Sequence, residues 1–303
     1  MSRRNIDMVN GSLFKNIISY TIPIILTGVL QLLFNAADLI IVGRFCGSIS
    51  VAAVGATGAI TNLIVNLFVG LSVGTGVTVA QGLGANDNKK VHRAVHTAIP
   101  TALVGGVVLT VIGVAFSETF LHWMGTPDDV LPLSAIYMKI YFAGIIFMMI
   151  YNFCSAILRA AGDTKSPLIF LTIAGVINVG LNVIFVTAFD LNVAGVALAT
   201  TISQGVSAAL VVIALLKRSD ACQLHFSQLK FHKDELLQII KIGLPAGIQG
   251  SLFSFSNVII QSSINSFGPT VMSGNAAALN IEGFMYIVLN AFHRRYHTCY
   301  IVD

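Results

Sequence analysis

Of 13 acidic residues in a chain of 303, only Asp38 and Glu282 fall inside long apolar stretches. A carboxylate at membrane depth costs about 2.5–3.5 kcal/mol on insertion scales, and it persists where it faces a protein interior, carries a proton or meets a cation. Asn178 and Asn182 stand four residues apart in another such stretch, so one helical face turns both amides towards a common neighbour. Thr200, Thr201, Ser203 and Gln204 follow in the next. With Asp38 these residues make a polar pocket whose carboxylate takes a proton, or whose oxygens ligate a small cation such as Na⁺. The alternative is that Asp38 snorkels to the outer interface beside Arg44 while the amides and hydroxyls only tie helices together. The reading adopted for Asp38 is functional; for Glu282 the two readings balance.

The elements that must position these groups are membrane helices. Hydrophobic residues make up 55% of the chain and charged ones 10%, and the mean hydropathy is +0.84, far from a soluble domain that is about a quarter charged. Eight stretches are long enough to cross the bilayer as helices: 16–42, 51–80, 91–116, 131–157, 166–188, 193–216, 237–266 and 272–292. The apolar runs are continuous and do not alternate, which argues against a barrel. The fold class is therefore all-α, a polytopic membrane helical bundle.

Charge sets the orientation. Basic residues gather at 3–15, 89–93, 159–165 and 217–241, the segments that lie on one side of the membrane if the spans alternate. By the positive-inside rule that side is cytoplasmic, and both termini are expected there. The net charge of +4 is thus a topology signal and not a nucleic-acid footprint. No cleavable signal peptide is read, because the first apolar run is long and interrupted by Gln31, Asn35 and Asp38. Cys46, Cys154, Cys222 and Cys299 lack metal-like spacing, and His92, His96, His225 and His232 read as loop or helix-end residues on a solvated face. Walker and HExxH motifs are missing from the sequence, so it reads as no enzyme and as no ATP-driven pump.

Residues 18–67 repeat at 240–289, pairing Pro23 with Pro245, Gly28 with Gly250, Asn35 with Asn257 and Phe45 with Phe267. An even number of spans separates the copies, so they are parallel and the molecule has two lobes. Pro23 and Pro245 each remove a backbone donor and are expected to bend their helices. Gly70/Gly74, Gly43/Gly47 and Gly243/Gly247 have GxxxG spacing and are expected to pack helices closely.

Three strings occur together: Ala80-Gln81-Gly82-Leu83-Gly84-Ala85 followed by Arg93; Leu158-Arg159-Ala160-Ala161-Gly162-Asp163-Thr164-Lys165-Ser166-Pro167; and Gly243-Leu244-Pro245 opening span seven. The combination resembles the multidrug and toxic compound extrusion (MATE) family in its bacterial drug-efflux branches, over residues 12–292. That resemblance implies an antiporter of two six-helix lobes in the bacterial inner membrane, with the lipid bilayer and small-molecule drugs or toxins as its partners. It implies export of amphipathic, often cationic compounds against H⁺ or Na⁺ entry, without a cofactor. Asp38 then matches the span-one acid that binds the coupling cation. Asn178 and Asn182 match a polar pair in span five whose second place is often Asp, and Thr200 matches a hydroxyl of the same pocket. Gln31, Asn35 and Glu282 are further candidates for the substrate cavity, with Pro23 and Pro245 as hinges. Some members carry a glutamate in span seven where this chain has Phe253, so a second cation site is not expected.

The expected organisation is an N-lobe of six spans at 13–217, a cytoplasmic linker at 218–235, two C-lobe spans at 236–292, and a basic tail at 293–303. The tail replaces apolar helix in mid-span, as an out-of-frame end of a truncated gene product would. Two readings stand beside drug antiport. One is a non-transporting fragment, inert or acting by self-association or association with full-length relatives. The other is a flippase of lipid-linked precursors, which calls for a strongly cationic cavity, whereas the spans carry little Lys or Arg beyond Lys139.

Overall fold

The apolar stretches fold as long helices. The computed structural model describes residues 13–283, with side chains described from residue 22 onward. The order is α1 (Leu13–Phe45), α2 (Ser48–Gly84), α3 (Asn88–Trp123), α4 (Leu131–Ala143), α5 (Ile145–Ala160), α6 (Lys165–Thr187), α7 (Asn192–Leu216), a 3₁₀ turn at Phe226–Gln228, and α8 (Lys233–Asn265). A last helix, α9, covers 269–283 within the described residues. Among the described residues six helices are long and apolar enough to cross a membrane, or seven if α4 and α5 form one bent span. The chain is a multi-pass membrane protein, and outward valines such as Val104, Val107 and Val111 on one face of α3 suit contact with lipid. The eighth expected span is described only as far as 283, and the tail at 293–303 lies outside the described residues.

The fourth expected span, 131–157, is broken where the sequence suggested one rod. Its halves meet at 47°. At the break, a Cβ on Gly144 would lie 2.3 Å from the Thr201 methyl of α7, so glycine is what lets α7 approach. Hydroxyls support the carbonyls at the break: Thr201 donates to Ile140 O at 3.4 Å, which also accepts from Gly144 N at 3.2 Å, and Thr110 of α3 donates to Phe142 O at 2.9 Å. A break inside lipid is tolerated only when neighbouring groups satisfy the freed backbone in this way. Pro23 and Pro245 behave differently, since α1 and α8 both continue as helix across their prolines.

The strings that carry the resemblance are turns and close approaches. Gly162 has φ +81°, which a side chain would strain. Asp163 then caps α6, accepting from Ser166 N at 3.0 Å and from the Ser166 hydroxyl at 2.6 Å. In the α2–α3 hairpin a Cβ on Gly82 would lie 2.8 Å from Val91, and Asp87 caps α3 by accepting from Lys90 N at 3.0 Å. The interior is built around Phe142, Phe153, Leu109, Met138 and Ile157 from α3, α4 and α5, all fully buried.

Two of the GxxxG pairs pack against each other. A Cβ on Gly70 would sit 2.3 Å from Gly247 Cα, and one on Gly74 would sit 2.3 Å from Ile239 O and 2.8 Å from Gly243 N. The partners are backbone, so α2 and α8 touch main chain to main chain. Asn66 Nδ2 donates to Ser254 Oγ at 2.8 Å, and Gln238 Nε2 to Gln81 Oε1 at 2.5 Å, so polar contacts flank the glycine seam on both sides. Gly43 and Gly47 take no part: Gly47 lies in the α1–α2 turn at φ +88°.

Candidate functional site

The candidate site lies where α1, α6 and α7 meet. Gly175 makes the meeting possible, because a Cβ there would fall 1.8 Å from the Phe34 ring tip. Phe34 therefore lies against the bare backbone of α6. One turn further along α1 comes Asp38, while Asn178 and Asn182 follow Gly175 along α6. Helical repeat places Asp38 on the same side as Phe34, and both amides on the same side as Gly175.

The four residues that the sequence assembles, Asp38, Asn178, Asn182 and Thr200, form one connected chain of hydrogen bonds. Asp38 is 8% exposed and accepts at Oδ1 from Asn182 Nδ2. The same Nδ2 donates to Asn178 Oδ1 at 3.2 Å, and Asn178 Nδ2 donates to Thr200 Oγ1 at 3.3 Å. Thr200 donates onward to its own helix at Val196 O, 2.9 Å away. The direction of donation follows from the carboxylate, which can only accept when ionised. Both donors leave Asn182 through Nδ2, so its Oδ1 is a buried acceptor with no protein partner. Beside a carboxylate, such an oxygen suits either a proton carried by Asp38 or a hard cation.

Other expectations resolve less centrally. Arg44 is exposed and makes no ion pair with Asp38 among the described residues, so the interfacial pairing is not formed. Thr201 serves the α4–α5 break, Ser203 bonds back to Thr200 O, and Gln204 meets Ser207. Gln31 and Asn35 are exposed on α1, and Glu282 is exposed near the end of the described part of α9; none joins the Asp38 chain. Pro23 is buried and its carbonyl accepts from Thr27 at 2.7 Å, whereas Pro245 is exposed.

Sequence reasoning missed Tyr137 and misread His96. Tyr137 of α4 packs against the cluster of Ile41, Val42 and Val196 and lies within electrostatic reach of Asp38. A tyrosine in a membrane span carries little signal, since aromatic residues are common there. His96, read as solvated, is fully buried. Its i, i+4 spacing from His92 was the available sign of a shared face.

The family model MatE matches residues 23–184, more than half of the chain and all of the site except Thr200. A "Probable multidrug resistance protein YpnP" of Bacillus subtilis is 29% identical over 289 residues, covering 92% of this chain and 62% of that protein. A second from the same organism, "Probable multidrug resistance protein YoeA", is 30% identical over 281 residues, covering 90% and 61%. The chain thus spans about three fifths of the length of these curated relatives. An inward-facing structure of a multidrug resistance MATE family transporter of the MOP superfamily superposes with a TM-score of 0.79 at 23% identity, covering 95% of this chain and 62% of that one. That likeness concerns the fold; by the family model, which covers more than half of its sequence, the chain belongs to the MatE family.

Proposed function

We propose that the chain works in secondary-active export of amphipathic or cationic small molecules across a bacterial inner membrane, with Asp38 as the coupling acid for H⁺ or Na⁺. The observation that carries the reading is the buried hydrogen-bonded chain from Asp38 through Asn182 and Asn178 to Thr200, with an unpartnered acceptor at Asn182 Oδ1. Relatives named as multidrug resistance and export proteins support the substrate class.

The mechanism follows from the two states of one carboxylate. Ionised, Asp38 holds the Asn182 amide and draws α1 onto α6. Once it takes a proton it loses its charge, becomes able to donate, and weakens its hold on the Nδ2 donor; a bound Na⁺ would instead gather the Asp38 and Asn182 oxygens. Either change alters how α1 packs on α6 and α7, and so biases the open and closed forms of a cavity between lobes. Residues 13–217 form the N-lobe in this reading, 218–235 the linker and 236–292 the beginning of the C-lobe, with the basic segments cytoplasmic.

The test is ethidium efflux in efflux-deficient bacteria expressing the chain, with membrane insertion followed by blot, beside Asp38→Asn. The expected result is efflux that falls at least tenfold in the variant at equal insertion. Equal efflux from both would remove Asp38 from the mechanism, and no efflux from a well-inserted chain would favour the non-transporting reading.

A further inference from the structure

Outside the Asp38 site, the segment joining α7 to α8 makes a second polar constellation. It crosses the cytoplasmic start of α3, and its attachment depends on one buried imidazole. His96 Nδ1 lies 2.7 Å from His92 O, one turn back. A carbonyl can only accept, so Nδ1 carries the proton. The other nitrogen, Nε2, lies 3.0 Å from His225 N, which can only donate. His96 is therefore neutral in this arrangement, with its tautomer fixed from both ends.

The contacts around it fasten the whole strap. Lys230 N donates to His96 O at 3.4 Å, and His232 N donates to Thr97 Oγ1 at 3.1 Å. His92 Nε2 meets Gln228 Oε1 at 2.7 Å. Upstream, Cys222 and Leu224 are buried in the main core, so the strap is anchored before it reaches His225. Downstream, α8 begins at Lys233, immediately after the last of these bonds.

We propose that His96 is a proton-sensitive latch that holds residues 225–232 against α3 when neutral and releases them when protonated. A second ring proton would sit on Nε2 and point at the His225 N–H, replacing an acceptor by a donor. His225 is exposed and its N–H can turn to water, whereas buried His96 has no acceptor bonded at Nε2 among the described residues. Because only the released form accommodates the extra proton, acid favours release. Its electrostatic neighbours are the imidazoles of His92, His225 and His232, the first stacked 4.0 Å away and the second 6.2 Å away. Lys89, Arg93 and Asp220 line a surface cleft together with His92 and His232, Lys230 lies on the strap itself, and Glu235 is 3.9 Å from Arg93. Release would loosen the entry to α8, so cytoplasmic acid would act on the joint between α3 and the second repeat. This inference does not depend on the transport reading.

Hydrogen exchange on the whole chain in nanodiscs, between pH 8 and pH 5 and corrected for intrinsic rates, reads the latch directly. Amide protection across 225–232 is expected to fall at least tenfold on acidification, while the α5–α6 turn at 161–165 stays unchanged. His96→Gln, which offers an acceptor that cannot titrate, is expected to abolish the pH dependence; His232→Gln is expected to keep it. Wild-type protection that is flat with pH, or a transition that survives in His96→Gln, would overturn the latch. Should that variant insert poorly, ¹⁵N-histidine spectra of the wild-type chain decide: a neutral Nδ1–H ring at pH 8 that charges as protection falls supports it, and an Nε2–H or charged ring at pH 8 overturns it.

Discussion

The helices α1 and α8 carry the two copies of the sequence repeat and are seated in opposite ways. Each is 33 residues long with an internal proline. α1 meets α6 through a phenylalanine filling the space of a missing Cβ, and the reward is a buried acid among amides. α8 meets α2 through glycine on both sides, backbone to backbone, and the place equivalent to Asp38 is Ile260, exposed. Glu235, the acid that α8 buries, lies in its first turn beside Arg93, and further along the helix the buried polar groups are neutral: Gln261 Nε2 donates to Asn265 Oδ1 at 2.9 Å, and Asn265 Nδ2 to Met124 O at 2.9 Å. The comparison teaches that repeat position alone does not make an acid site. The partner helix must bring donors, and α6 does so with Asn178 and Asn182.

The sharpest way to break the contrast is to unseat α8. Gly70→Ala drives a methyl group into the Gly247 backbone, which cannot rotate away. We expect a loss of about 3 kcal/mol, at the upper end of overpacking costs. Disulfide formation between cysteines introduced at Asn66 and Ser254, now hydrogen-bonded, should drop with it. An unchanged cross-linking rate would mean that the glycine seam does not set the approach of α2 and α8.

A milder change tests the other seat. Gly175→Ala places its methyl group against the Phe34 ring, a side chain that can partly move aside. The expected cost is about 1–2 kcal/mol, with Asp38 displaced from Asn182. Ion-dependent protection of α1 from exchange should weaken while the α2–α8 cross-link stays intact. If both respond equally, the two seats are one cooperative unit and the contrast fails.

The smallest effect lies in the linker between the two regions. Burial works against the Asp220 carboxylate, but hydrogen bonds and charge from Arg218, with Cys222 N–H, outweigh it and hold the group below the usual aspartate range. A depressed folded value contributes stability above the unfolded value, near pH 4, that is lost as pH falls through the folded one. Asp220 is 44% exposed and screened by water, so the contribution is on the order of 1 kcal/mol or less. Asp220→Asn should therefore unfold more readily than wild type at pH 7, with the difference narrowing below about pH 4.

Much of this arrangement was legible in the residues themselves. Asp38, Asn178, Asn182 and Thr200 stood out because polar groups in a span are costly, and the i, i+4 amides implied one face. Gly70/Gly74 and Gly243/Gly247 were legible as close contacts, although that they meet each other depends on the tertiary path, whereas the same spacing at Gly43/Gly47 marks a turn. The break at Gly144 was not legible, since its cause is Thr201, distant in sequence and itself read as a pocket residue. The burial of His96 was hidden for a related reason: only the folded strap brings His225 N to its ring.

The α1–α2 and α8–α9 hairpins also meet at their small residues. Gly47 and Gly268 hold positive φ in the turns after α1 and α8. A Cβ on Gly55 of α2 would lie 2.6 Å from the Ala276 methyl carbon of α9, so the alanine fills the space that the glycine leaves. Where two helices share so small a gap, each side chain sets the size limit of the other, and a methyl group gained on one helix is accommodated only by one lost from its neighbour.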